Sequence, residues 1–137
     1  MELTLDLARQ VLAAQPFSVL VGARVTAFGD GGATLEIDVR DELKQQNGFL
    51  HGGVLAYAAD NAITFAGGTV LGPALLTGGF SINYLRPATG RVLVARAEVT
   101  QSTRRQAVAR CDLSTVDSDG AETAVAFAQG TVVVSGG

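Results

Sequence analysis

The sequence predicts an α+β fold in which one curved antiparallel β-sheet wraps around a central buried α-helix. Two observations carry this expectation. Six segments read as strands, and consecutive ones are joined by short turns, as antiparallel pairing allows. Between the second and third strands, Val54 to Ala66 is Ala-rich and apolar on nearly all sides, and a helix of that kind is buried all round. Such a helix has to be enclosed by the sheet that follows it.

Leu3, Leu7, Val11 and Leu12 recur at helical spacing, so an N-terminal packing helix is expected within residues 1–16, closed by Pro16. Val19–Phe28 and Ala33–Arg40 read as strands. In the second, Ala33, Leu35, Ile37 and Val39 alternate with Thr34, Glu36, Asp38 and Arg40. Gly29-Asp30-Gly31-Gly32 between them is a hairpin signal. Residues 41–48 are polar and end the pattern. The central helix is expected over about 52–68, opened by Gly52-Gly53 and stopped by Gly67-Gly68. Strands follow at 74–85, 91–102, 107–116 and 121–134, with Ala88-Thr89-Gly90 and Ser118-Asp119-Gly120 as turns. The outer face of this sheet is expected to carry Val92, Val94, Val132 and Val134, an apolar surface that dimerisation covers.

The 137 residues suit a single domain, 1–137. A net charge of −3 argues against nucleic acid as a partner, which calls for a basic excess. With 47% hydrophobic and 17% charged residues, the composition is the reverse of a disordered chain. The charged fraction lies below the ~25% of average proteins, which points to extra buried surface and self-association. Cys111 is the only cysteine, excluding an internal disulfide or a Cys-based zinc cluster, and His51 is the only histidine. Glu2 and Asp6 replace the basic stretch of a secretory signal. The longest uncharged run, Asn61 to Leu85, is broken by Gly67, Gly68, Gly72, Pro73, Gly78 and Gly79 and does not read as a membrane span. A cytoplasmic protein, with no metal and no membrane partner, is the expectation.

The informative residues run from Gln45 to Asp60. Asp60 lies in the most apolar helix of the chain, where a carboxylate is costly to bury unless paired, and its mid-helix place does not suit a cap. It reads as a functional carboxylate. Thr64, one turn on, either bonds that carboxylate or a water beside it, or bonds back to the Asp60 carbonyl. Gly52 and Gly53 open the helix, where free N–H groups and the positive dipole end suit a developing oxyanion, and two glycines let a ligand approach the backbone. His51 reads as fixing the loop before the helix rather than as a base, since Asp60 already supplies one. Arg86, Arg104 and Arg105 either solvate turns or anchor phosphates of a large ligand, with no phosphate-binding fingerprint in the chain.

His51-Gly52-Gly53 opening a buried Ala-rich helix, an acid nine residues after the histidine, and Tyr84-Leu85-Arg86-Pro87 in the next strand resemble the hotdog-fold acyl-CoA thioesterases of the PaaI-like branch. The resemblance runs from about Val19 to Val134. It implies a hotdog fold and hydrolysis of an acyl-CoA to free acid and CoA, with no cofactor beyond the CoA of the substrate. It implies that Asp60 is the catalytic general base or nucleophile and that the Gly52 N–H polarises the thioester carbonyl. Gln45 matches the side-chain amide at the carbonyl or the water, and Asn47 and Gly53 lie beside these groups at the substrate. Thr77 matches a water-positioning strand hydroxyl, Thr64 a helix hydroxyl used instead in other members. His51 matches a structural or carbonyl-orienting position. Arg86, Arg104 and Arg105 become the residues expected at the CoA phosphates. The resemblance also implies active sites between subunits, hence a homodimer, with dimers commonly paired into a homotetramer.

The chain departs from the family pattern at Gly78-Gly79, where many members carry an acid or amide. Gln46 and Asn47 offer further amides beside Gln45. The acyl group is expected to be medium-chain fatty or aromatic, such as phenylacetyl. Two other readings remain open here: a hotdog hydratase or dehydratase pairing His51 with Asp60, and a non-catalytic acyl-CoA-binding domain.

Overall fold

A computed structural model describes residues 3–135. Two short helices, α1 (Leu5–Ala13) and α2 (Pro16–Val21), precede a hairpin of β1 (Ala23–Gly29) and β2 (Gly32–Asp38). A 3₁₀ turn at Asp41–Leu43 and a loop lead to the long helix α3 (Gly52–Leu71). Strands β3 (Leu75–Tyr84), β4 (Val92–Ser102), β5 (Gln106–Val116) and β6 (Glu122–Val134) complete the chain. All strand pairings are antiparallel, in one six-stranded sheet of order β1-β2-β4-β5-β6-β3. The sheet curls around α3, whose Leu55, Ala58, Ala59, Ala62, Ile63 and Ala66 are buried against it. Leu35, Ile37, Leu93, Leu113, Val125 and Val132 supply the sheet side of this core. Each such side chain contributes about 1.5–3 kcal/mol when fully buried.

Several boundaries differ from the sequence expectation for identifiable reasons. Pro16 does more than close α1. It occupies the first turn of α2, where its missing N–H costs nothing, so the strand expected from Val19 begins at Ala23. The Arg40 guanidinium donates to the Leu20 and Val21 carbonyls at 2.6 Å and holds the end of that helix. Gly67-Gly68 does not stop α3. Both glycines lie inside it, and termination falls to Gly72 at φ 88°. A Cβ at Gly67 would stand 2.3 Å from Val132 Cγ2, so the glycine is there to let helix and sheet approach.

The helix is also not enclosed on every side. Tyr57, Asp60, Asn61 and Thr64 form a half-buried stripe along it. Nor do the four expected valines make an exposed face, since Val132 is fully buried and Val94 is 5% exposed. Exposed apolar side chains lie instead on the edge strand β3, where Leu76 is 63% and Tyr84 53% exposed, and on α2, where Phe17 is 58%, Val19 62% and Leu20 68% exposed. An edge strand of ten residues with open N–H and C=O groups is a template for pairing with another strand. By length and composition α3 could cross a membrane, but half of its apolar window is buried in this sheet.

Candidate active site

Asp60 projects from the polar stripe of α3 toward β3. The Thr77 hydroxyl donates to Asp60 Oδ1 at 2.6 Å, the length of a charge-assisted bond. Thr64 Oγ1 donates to the Asp60 backbone carbonyl at 2.9 Å and lies 3.2 Å from Thr77 Oγ1. Each hydroxyl has one proton. Those of Thr77 and Thr64 are therefore committed to Asp60, and both oxygens remain as acceptors. The second carboxylate oxygen, Oδ2, has no partner among the described residues. Asp60, Thr64 and Thr77 open on a cavity of about 260 Å³, walled by Phe17, Tyr57 and Leu76.

The start of α3 is built differently. His51 is its N-cap, and His51 Nδ1 accepts the Gly53 N–H at 2.8 Å. That bond fixes the turn and commits the Gly53 donor, so Gly53 has no N–H to offer a ligand. The Val54 N–H goes to the His51 carbonyl at 2.9 Å. The Gly52 N–H has no partner among the described residues and sits at the positive end of a 20-residue helix. Tyr84, at the far end of β3, donates its hydroxyl to the Gly52 carbonyl at 2.9 Å, and a Cβ at Gly52 would meet the Tyr84 ring at 3.3 Å. The glycine thus admits both the tyrosine and anything that approaches the free N–H.

Gln45 shares a cleft of about 610 Å³ with His51, Gly52, Tyr84 and Arg86. Its Oε1 accepts the Asn47 N–H within its own loop, while its backbone N–H donates to the Phe49 carbonyl at 2.8 Å. Asn47 lies exposed on that loop. Arg86 Nη1 donates to the Ala124 carbonyl at 2.8 Å, which holds the guanidinium at the cleft rim. Arg104 and Arg105 are exposed in the β4–β5 turn, and the Arg105 carbonyl accepts from Val134, whose neighbour across the sheet is Leu75. They therefore adjoin the start of β3, whereas Arg86 follows its end, about 30 Å away along a ten-residue strand.

The same separation divides the central groups. Gly52 and Asp60 stand eight residues apart on one helix, an axial distance of about 12 Å. No single carbonyl reaches both within one chain. Cys111 adds nothing to either group: burial, and secondarily the charge of Asp112, pushes its thiol up to about 12, so no thiolate forms near neutrality.

Four polar residues near Asp60 escaped sequence reasoning as a unit. Asn61 Nδ2 donates to the Tyr57 hydroxyl at 3.0 Å and to Gln15 Oε1 at 3.1 Å, and Ser18 Oγ donates to Gln15 Oε1 at 2.6 Å. This network ties the α1–α2 corner to the wall of the Asp60 cavity. Its signal was the spacing of Tyr57, Asp60, Asn61 and Thr64, a polar stripe of helical period in an otherwise apolar segment.

Residues 47–122 match the family profile of the thioesterase superfamily. A thioesterase family protein from Silicibacter pomeroyi superposes with a TM-score of 0.86 at 32% identity, over 91% of this chain and 93% of that one. Zebrafish thioesterase superfamily member 2 superposes at 0.82 with 26% identity, over 97% and 99% of the two chains. The E. coli PaaI protein of the phenylacetic acid degradation operon shares the fold at 0.81, with 23% identity over 95% and 91%. No curated protein matches the chain in sequence.

Proposed function

The chain belongs to the thioesterase superfamily and is a thioester hydrolase of hotdog fold, and from that premise we propose that it cleaves acyl-CoA in an active site shared by two copies. The observation that carries this is the pair of half-sites on one helix: a carboxylate held by hydroxyls, and a free N–H at the helix start, too far apart to meet on one substrate.

A second copy brings them together. Thr77 marks Asp60 and Tyr84 marks Gly52, near opposite ends of the same free edge strand. Antiparallel pairing of β3 with its own copy about a two-fold axis near Phe80 and Ser81 sets Thr77 of one chain opposite Tyr84 of the other. Asp60 then faces the partner's Gly52 across the interface, twice per dimer. The same operation carries Arg104 and Arg105 toward the partner's Arg86, giving three guanidinium groups at one mouth for the phosphates of CoA. The exposed Leu76, Phe80 and Tyr84 become interface residues.

In this arrangement the thioester carbonyl oxygen accepts from the Gly52 N–H, which strengthens its hold as negative charge develops. Asp60 Oδ2 takes the proton of a water attacking the carbonyl carbon, or attacks that carbon itself. Thr77 fixes Oδ1 and so aims Oδ2, and its hydroxyl oxygen or that of Thr64 accepts the second proton of the water. On the water route, collapse of the tetrahedral species breaks the C–S bond and the proton held by Asp60 goes to the departing CoA thiolate. On the direct route, collapse expels the thiolate and leaves an acyl–Asp60 anhydride, which water hydrolyses to the free acid and the Asp60 carboxylate, its released proton neutralising the thiolate. Gln45 stands at the Gly52 side, where its amide can hydrogen-bond the carbonyl or the water once it turns from its own loop. Free-thiol release from a panel of acyl-CoAs, acetyl to palmitoyl with benzoyl and phenylacetyl, tests the reading. Turnover of at least one class is expected. Binding without hydrolysis across the panel would contradict it.

A further inference from the structure

We propose that the acyl group is a linear chain of medium length, and that it runs from Asp60 along α3 into an apolar groove beneath α1 that Gly68 keeps open. This rests on the thioesterase reading and names its substrate class. Beyond the Asp60 cavity lies a second one of about 170 Å³, lined by Val11, Phe28, Phe65, Gly68, Pro73 and Leu75. The two share Gln15, Asn61, Thr64 and Leu75 as walls, so they adjoin, with the Asn61–Gln15 hydrogen bond at their junction. Asp60, Thr64 and Gly68 follow one another four residues apart on one helix face, a track of about 12 Å.

Gly68 lacks the packing reason that Gly67 has. Among the described residues, the nearest atom outside its own stretch of helix to a Cβ there is Leu3 Cδ1 at 3.9 Å, which is ordinary contact. A mid-helix glycine without a close neighbour is a standing cost relative to alanine. An open cavity on that face accounts for it, since any longer side chain would grow into the groove. The polar collar at the junction does not obstruct an alkyl chain energetically. Gln15, Ser18, Tyr57 and Asn61 satisfy one another, and among the described residues no buried side-chain polar atom is left without a partner.

Length distinguishes linear from aromatic acyl groups. An extended chain advances about 1.2 Å per bond, as the backbone does, so a track of about 12 Å takes roughly ten bonds. A benzoyl or phenylacetyl group ends in the first cavity and leaves the groove empty.

The test compares kcat/KM for hexanoyl-, octanoyl-, decanoyl- and phenylacetyl-CoA in the wild type, Gly68→Ala, Gly68→Leu and Asp60→Asn. A buried methylene is worth about fourfold, so the wild-type decanoyl-to-hexanoyl ratio is expected on the order of 10². Gly68→Leu is expected to lower that ratio at least ~10-fold and Gly68→Ala by about fourfold, the loss of one methylene of depth. The alanine variant suits a helix and has room for its methyl group, so it reports even if the leucine variant does not fold. Hydrolysis with an unchanged ratio in both variants, or phenylacetyl-CoA as the best substrate, would overturn the groove while leaving the thioesterase reading standing. Failure of the wild type on every thioester would instead remove the thioesterase reading beneath it, and full turnover by Asp60→Asn would remove Asp60 as the start of the track.

Discussion

Replacing Asp60 with asparagine is expected to lower kcat at least ~10²-fold on any acyl-CoA the enzyme turns over, the usual scale for losing a general base. The change is nearly isosteric. Asparagine Oδ1 still accepts from Thr77, so the bond at 2.6 Å persists in weaker, neutral form. Melting temperature is therefore expected to move little, and KM to change less than kcat, because the lost group acts in the chemical step rather than in holding the thioester. Activity within threefold of the wild type, in a variant that melts normally, would exclude Asp60 as the base or nucleophile.

Gly52→Pro removes one hydrogen atom from the other half of the site. Proline is well suited to the first helical position, where its fixed φ matches the helix and its missing N–H breaks no helical bond. The preceding residue, His51, already has φ −60° and ψ 135°, the extended conformation a following proline requires. The proline Cβ stands 3.3 Å from the Tyr84 ring, so that side chain must give by a few tenths of an ångström. Helix content should survive while kcat falls about 10²–10³-fold, the range for loss of one oxyanion donor. A control, Gly52→Ala, places the same Cβ against Tyr84 but keeps the N–H, and is expected to lose far less. Equal losses in the two variants would assign the effect to crowding against Tyr84 instead.

The alternation of Leu35 and Ile37 with Glu36 and Asp38 was enough to place β2, because a strand with one buried face repeats every second residue. Asp60 stood out because a carboxylate in an Ala-rich helix has few structural uses. What stayed hidden depended on contacts distant in sequence. Gly67 reads locally as a helix stop, and only Val132, far along the chain, makes it a point of close approach within the helix. Pro16 signals equally the end of one helix and the start of another. Tyr84 lay inside a recognised motif, but its bond to the Gly52 carbonyl crosses from β3 to α3 and has no local signature. The separation of Gly52 from Asp60 was legible all along: eight residues of helix already set it at about 12 Å.

That separation is tested most directly by subunit complementation. Asp60→Asn and Gly52→Pro chains, each nearly inactive alone, are co-expressed with different tags and the mixed assembly is purified. If each site takes Asp60 from one chain and Gly52 from the other, a mixed dimer holds one site with both groups intact and one with neither. Activity near half that of the wild type per dimer is then expected, well above either parent. A mixed dimer as inactive as its parents would place both groups in one chain's site and contradict the shared arrangement.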